Sequence, residues 1–144
     1  MAKWYAAQQT GTADGSKTFT SRLDARQVGA RHHRIIATKN QGEVWAASDT
    51  FYVGRLRAGE SLRRASVITD TAVAGISLGP ASAPTKYANA VAAATLNVPT
   101  PIGPTALAAA APPLTSDEYL YATVTGAVGA TVNFLMELEI AGLN

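Results

Sequence analysis

The strongest alternation of apolar and polar positions lies near the C-terminal end of the chain. Val132, Phe134, Met136, Leu138 and Ile140 alternate with Thr131, Asn133, Leu135, Glu137 and Glu139. A period of two sustained this long predicts a strand with one buried face, and it turns both glutamates outward. Residues 118–125 form a first strand, and Gly126-Ala127-Val128-Gly129 separates them from 130–140. That arrangement predicts a β-hairpin. Upstream, residues 33–38 form a candidate strand closed by Asn40-Gln41-Gly42, and residues 43–47 form another before Ser48-Asp49. In residues 50–57, Phe51, Val53, Arg55 and Arg57 fall on one face and Tyr52, Gly54 and Leu56 on the other. Phe51, Tyr52 and Trp45 read as core. Ala58-Gly59-Glu60-Ser61 is a turn, and 62–69 and 71–78 are two strands around Asp70.

Two segments lack this pattern. Residues 79–116 hold all seven prolines, so they read as an excursion of loop and edge material, with one or two helical turns in 87–96. Residues 1–31 are polar and without period, which predicts an extended N-terminal arm ahead of a domain at 32–144. Trp4 and Tyr5 either anchor that arm on a neighbouring subunit or pair within the same domain as an edge strand. About eight short strands and one excursion give an all-β class: an antiparallel β-sandwich, jelly-roll-like, whose strand order the sequence does not fix.

Composition narrows the functional classes. The chain has 144 residues, the size of one domain, and its apolar share is dominated by alanine, with aromatics at only 7%. Small side chains bury little area, so subunit contacts are expected to supply part of the stability. Cysteine is absent, which excludes disulfides and thiolate metal sites. No secretory signal or membrane span is expected. The net charge of +2 hides a lopsided distribution. All twelve Lys and Arg lie in residues 1–86 with six acids, whereas 87–144 hold Asp117, Glu118, Glu137 and Glu139 and no base. Such asymmetry fits charged subunit contacts, a basic face for an acidic partner, or a solvated surface.

Candidate chemistry is sparse. His32 and His33 are adjacent on a strand, so they point to opposite faces and do not share a metal ion. No Gly-x-Ser-x-Gly elbow occurs, and residues 11–17 lack the spacing of a phosphate-binding loop. Glu137 and Glu139 share a strand face, as a hydrolytic carboxylate pair would, but they read more simply as the polar side of that strand. No enzyme, cofactor or metal is expected. Arginine outnumbers lysine eight to four, and its forked guanidinium suits interfaces. Should strands 50–57 and 62–69 pair, Arg55, Arg57, Arg63 and Arg64 would form a cluster facing acids of a neighbouring subunit. Arg22 and Arg26 of the arm join Trp4 and Tyr5 as further interface candidates. Without exposed aromatics nearby, direct nucleic-acid binding is not expected.

The order of features resembles the capsid decoration, or cement, proteins of tailed bacteriophages. The resemblance covers most of residues 32–142 and rests on four stretches. They are Val53-Gly54-Arg55-Leu56-Arg57-Ala58-Gly59-Glu60, Ile76-Ser77-Leu78-Gly79, Tyr87-Ala88, and the run from Asp117 to Val124 with the terminal strand. It implies a β-sandwich, commonly a homotrimer, assembled in the host cytoplasm. On the virion it would sit outside the shell at junctions between major capsid protein subunits and stabilise them without catalysis. A neck, tail or head-fibre-base protein is the nearest rival. A carbohydrate-binding sandwich is the rival from another class, and it requires exposed Trp or Tyr beside Asp or Asn, with Trp45, Tyr52 and Asp49 as candidates.

Overall fold

The computed structural model describes residues 31–142. Eight strands and one short helix follow in order: β1 (Arg31–Thr38), β2 (Thr50–Leu56), β3 (Glu60–Thr69), β4 (Val73–Gly79), β5 (Ala88–Ala93), β6 (Thr100–Gly103), α1 (Ala106–Ala110), β7 (Glu118–Val124) and β8 (Phe134–Gly142). They form two antiparallel four-stranded sheets, ordered β1-β8-β3-β6 and β2-β7-β4-β5. Of the consecutive strands, only β4 and β5 are hydrogen-bonded neighbours. Every other connection from β1 to β8 crosses from one sheet to the other, apart from that single pair. This order is the eight-stranded jelly roll.

Alternation supplies the core. Phe134, Met136, Leu138 and Ile140 of β8 face Leu120, Ala122 and Val124 of β7 and Ile76 and Leu78 of β4, all buried. At one end of the core the rings of Trp45, Phe51 and Phe134 meet, with centroids 4.8, 5.3 and 6.2 Å apart. Phe51 and Phe134 come from opposite sheets, so this cluster pins the two layers together.

The sequence expectations need correction at several points. β7 and β8 are strands but not a hairpin: β7 pairs with β2 and β4, whereas β8 pairs with β1 and β3. Each has a fully apolar face, and placing those faces opposite one another across the core buries both. Residues 43–47 contribute only the bridge between Trp45 and Val128, although Trp45 is core as expected. Residues 88–93 are strand rather than helical turns, and the helix lies later, capped by the Thr105 side chain. The prolines fit their surroundings, because β5 and β6 are both edge strands and Pro101 needs no ladder donor there.

In β2 the two-residue period breaks. The register shifts between Tyr52 and Gly54, so Val53 and Leu56 are both buried, whereas Tyr52 is exposed rather than core. A side chain at Gly54 would place its Cβ 2.9 Å from Ile35 Cδ1, which explains why the irregular position is glycine. β2 and β3 lie in different sheets and do not pair.

Candidate assembly surfaces

The charge asymmetry read along the chain is consumed inside the fold. β7 and β8 insert between earlier strands, which brings each late acid against an early base. Arg34 Nη1 lies 3.7 Å from Glu137 Oε1 and Arg64 Nη1 lies 3.8 Å from Glu139 Oε1, on the outer face of β1-β8-β3-β6. Arg55 Nη1 lies 3.6 Å from Asp117 Oδ2, and Lys86 Nζ pairs with Glu118. Lys86 and Glu118 are mostly covered, whereas the three arginine pairs sit largely at the surface, where each contributes at most about 1 kcal/mol. They are therefore available for exchange with a partner's charges at small cost. Glu137 and Glu139 are engaged by arginines on an open face, the arrangement of a polar strand surface.

The predicted four-arginine cluster does not form, because Arg55 is on β2 and Arg63 and Arg64 are on β3 of the other sheet. Arg55 and Arg64 have acids of their own. Arg57 and Arg63 are exposed, flank the turn between β2 and β3, and form no ion pair with a described acid. The register shifts between Leu62 and Arg64, so Arg63 is the extra residue of a bulge. Trp4, Tyr5, Arg22 and Arg26 lie outside the described residues, as does the arm except for Arg31. His33 Nε2 lies 3.7 Å from Glu60 Oε1, and His32 is exposed. Among the described residues no group of three His, Cys, Asp or Glu side chains is placed to hold a metal ion.

One end of the sandwich carries a cavity of about 280 Å³ lined by Ser61, Lys86, Tyr87, Leu114 and Glu118 among others. Tyr87 is 4% exposed, and its hydroxyl donates to Glu118 Oε2 at 2.7 Å. Burial, and then the Glu118 carboxylate, push the Tyr87 phenol well above its ordinary value. With Lys86 and Tyr87 both on Glu118, this carboxylate is a structural tie between β7 and the 80–87 loop rather than a free base. At the opposite end, Asp70 accepts from the Asn133 side chain at 2.6 Å and from its backbone N–H at 3.0 Å. Those bonds hold the Asp70 carboxyl below its ordinary value.

The outer face of β2-β7-β4-β5 differs in kind. Tyr119 and Tyr121 alternate with buried Leu120 and Ala122, so both point outward, and Tyr52 lies directly across from Tyr121. Tyr52 and Tyr119 are 50% and 52% exposed, and the Tyr52 ring centroid is 5.6 Å from Tyr121 and 6.4 Å from Tyr119. Thr50 and Thr123 form the next cross-strand pair, and Arg55 stands opposite Tyr119. Sequence reasoning missed this face. The facing of Tyr119 and Tyr121 was not read from the sequence, and the bulge at Val53 broke the period that would have turned Tyr52 outward.

No protein-family model and no curated sequence matches the chain. Among solved structures it is similar to a chain of the "Cyanophage Pam1 capsid asymmetric unit", with a TM-score of 0.62 and 12% identity. The match covers 90% of this chain and 96% of that one, so the two share the whole eight-stranded sandwich rather than a fragment of it.

Proposed function

We propose that the chain is a non-catalytic virion structural protein that docks on the outer surface of a capsid shell and holds neighbouring major capsid subunits together. The observation that carries this reading is the end-to-end correspondence of its jelly roll with a chain of a phage capsid. The distribution of charge supports it. The half-buried Glu118 is tied into the scaffold, whereas Arg57 and Arg63 are exposed without an ion pair to a described acid and the Arg34, Arg55 and Arg64 pairs are open to rearrangement. Arginines so placed steer and orient a partner more than they add raw affinity. A homotrimer is the copy number that the resemblance to decoration proteins implies, and assembly would add to the stability of the single domain.

The test is co-sedimentation of the purified chain with empty shells of the major capsid protein. Saturable pelleting that weakens with salt is the expected result. A chain that stays in the supernatant at low salt, at concentrations well above micromolar, contradicts the proposal.

A further inference from the structure

We propose that the outer face of β2-β7-β4-β5 is a binding site for a neutral oligosaccharide, with Tyr52, Tyr119 and Tyr121 as its stacking surface. The proposal does not depend on the shell-binding reading, since it concerns the free chain.

Three tyrosines on one open sheet face are unusual cargo for a protein with so few aromatics. A tyrosine couples a flat apolar ring to a polar tip, and it favours positions where one side is covered and the other wet. A pyranose has the complementary form: an apolar face of C–H bonds and a rim of hydroxyls. Among the described residues, Tyr87 is the tyrosine whose hydroxyl is hydrogen-bonded; the hydroxyls on the outer face remain available to a ligand. Around the rings stand groups suited to sugar hydroxyls, which both donate and accept. Thr50 and Thr123 are paired across the strands, and the Arg55–Asp117 pair lies at the other side, 3.6 Å apart, offering a donor fork and an acceptor carboxylate together.

The face is also shaped. The 80–84 loop packs down over Gly79, where a Cβ would meet the Ala83 carbonyl oxygen at 2.2 Å. The loop thereby walls a groove of about 290 Å³ lined by Thr50, Pro80, Pro84, Tyr121 and Thr123. That volume lies just under the usual range of ligand sites, and the groove takes in Tyr121 but not Tyr52 or Tyr119, so it holds one end of a sugar chain whose remainder lies across those two rings. Its floor is a hydrogen-bonded sheet, so little ordering accompanies binding.

The groups on the face match a glycan: ring faces with hydroxyl tips alternate with threonine hydroxyls, a guanidinium and a carboxylate, and the exposed aliphatic residues Ile36, Val44, Leu96, Val98 and Leu107 all lie off β2, β7 and β4. Its one cation is already matched by a carboxylate, which removes any preference for an acidic polymer. The carbohydrate-binding requirement stated from sequence, exposed tyrosine beside aspartate, is met here by Tyr52, Tyr119 and Asp117 rather than by Trp45 and Asp49.

The experiment titrates the full chain with soluble cellohexaose, maltohexaose, mannohexaose and chitohexaose, followed by calorimetry and by the tyrosine ring resonances. At least one is expected to bind saturably. Tyr52→Ala and Tyr119→Ala are each expected to weaken it about tenfold, with thermal unfolding unchanged because both rings are half exposed. Tyr52→Phe keeps the stacking surface and is expected to retain most of the affinity. Failure of all four sugars to bind at millimolar concentration overturns the proposal. So does binding that survives the double alanine variant. If that variant instead loses co-sedimentation with shells, the face belongs to a protein partner and the glycan assignment is wrong.

Discussion

Replacing Phe134 with alanine tests whether one aromatic cluster fastens the two sheets. The side chain is 2% exposed and touches Trp45 and Phe51 edge-on, at 5.3 and 6.2 Å between centroids. Burying a phenylalanine removes roughly 150–250 Å² from water, worth about 4–6 kcal/mol at about 25 cal/mol per Å². Allowing for a compact unfolded chain lowers this to about 3–5 kcal/mol, the same range that measured truncations of buried aromatics give. We take about 4 kcal/mol, against a total of roughly 5–15 kcal/mol for an ordinary domain. The variant should therefore fold but be marginal, with a melting temperature about 15 °C lower at about 4 °C per kcal/mol. Phe134→Leu keeps the aliphatic bulk and loses the two ring contacts, so its cost should be about 1–3 kcal/mol. Urea unfolding followed by far-ultraviolet circular dichroism, at fixed protein concentration, measures both. An alanine variant within about 1 kcal/mol of the parent refutes the cluster as the fastening between layers.

Three further predictions address other parts of the molecule. Gly79→Ala should destabilise by about 2 kcal/mol or more, since its Cβ meets backbone at 2.2 Å, and a thermal melt within 2 °C of the parent contradicts it. Tyr87 stays protonated in the fold above its ordinary value of 10.0, so its contribution is intact below that pH and is lost as pH rises beyond it, when the unfolded phenol ionises. Tyr87→Phe should flatten that alkaline decline, read as stability against pH, while costing about 1.5–3 kcal/mol at neutral pH for the lost bond to a carboxylate. Removing the free cations in Arg57→Ala/Arg63→Ala should weaken shell binding several-fold at low salt and little at high salt; equal affinity at low salt removes these arginines from the interface.

How much of this was legible in the sequence depends on what each residue type encodes. Alternation in 131–140 disclosed which face of that segment is buried, and 118–124 and 134–140 are strands as expected. It did not disclose which neighbour each strand would take. A buried face is satisfied equally by a hairpin partner beneath a common cover or by an opposing sheet, and only the three-dimensional closure of the core chooses. The alanines of 88–93 carried no period because small side chains fit helix and edge strand alike, and the pairing with β4 decided the matter. The bulge at Val53 broke the period of β2 and hid the outward Tyr52, and the placement of β2 and β3 in different sheets separated Arg55 from Arg63 and Arg64. The charge asymmetry was visible, but its meaning was not. Distance along the chain concealed that β8 lies between the basic β1 and β3 and that β7 lies beside β2.

The account stands or falls on whether this chain strengthens a shell. Light scattering on heated empty shells of the major capsid protein, with and without a saturating amount of the chain, reads that directly. The account predicts that decorated shells rupture at a higher temperature, and that the gain shrinks for Arg57→Ala/Arg63→Ala. Identical rupture temperatures with and without the chain would contradict it.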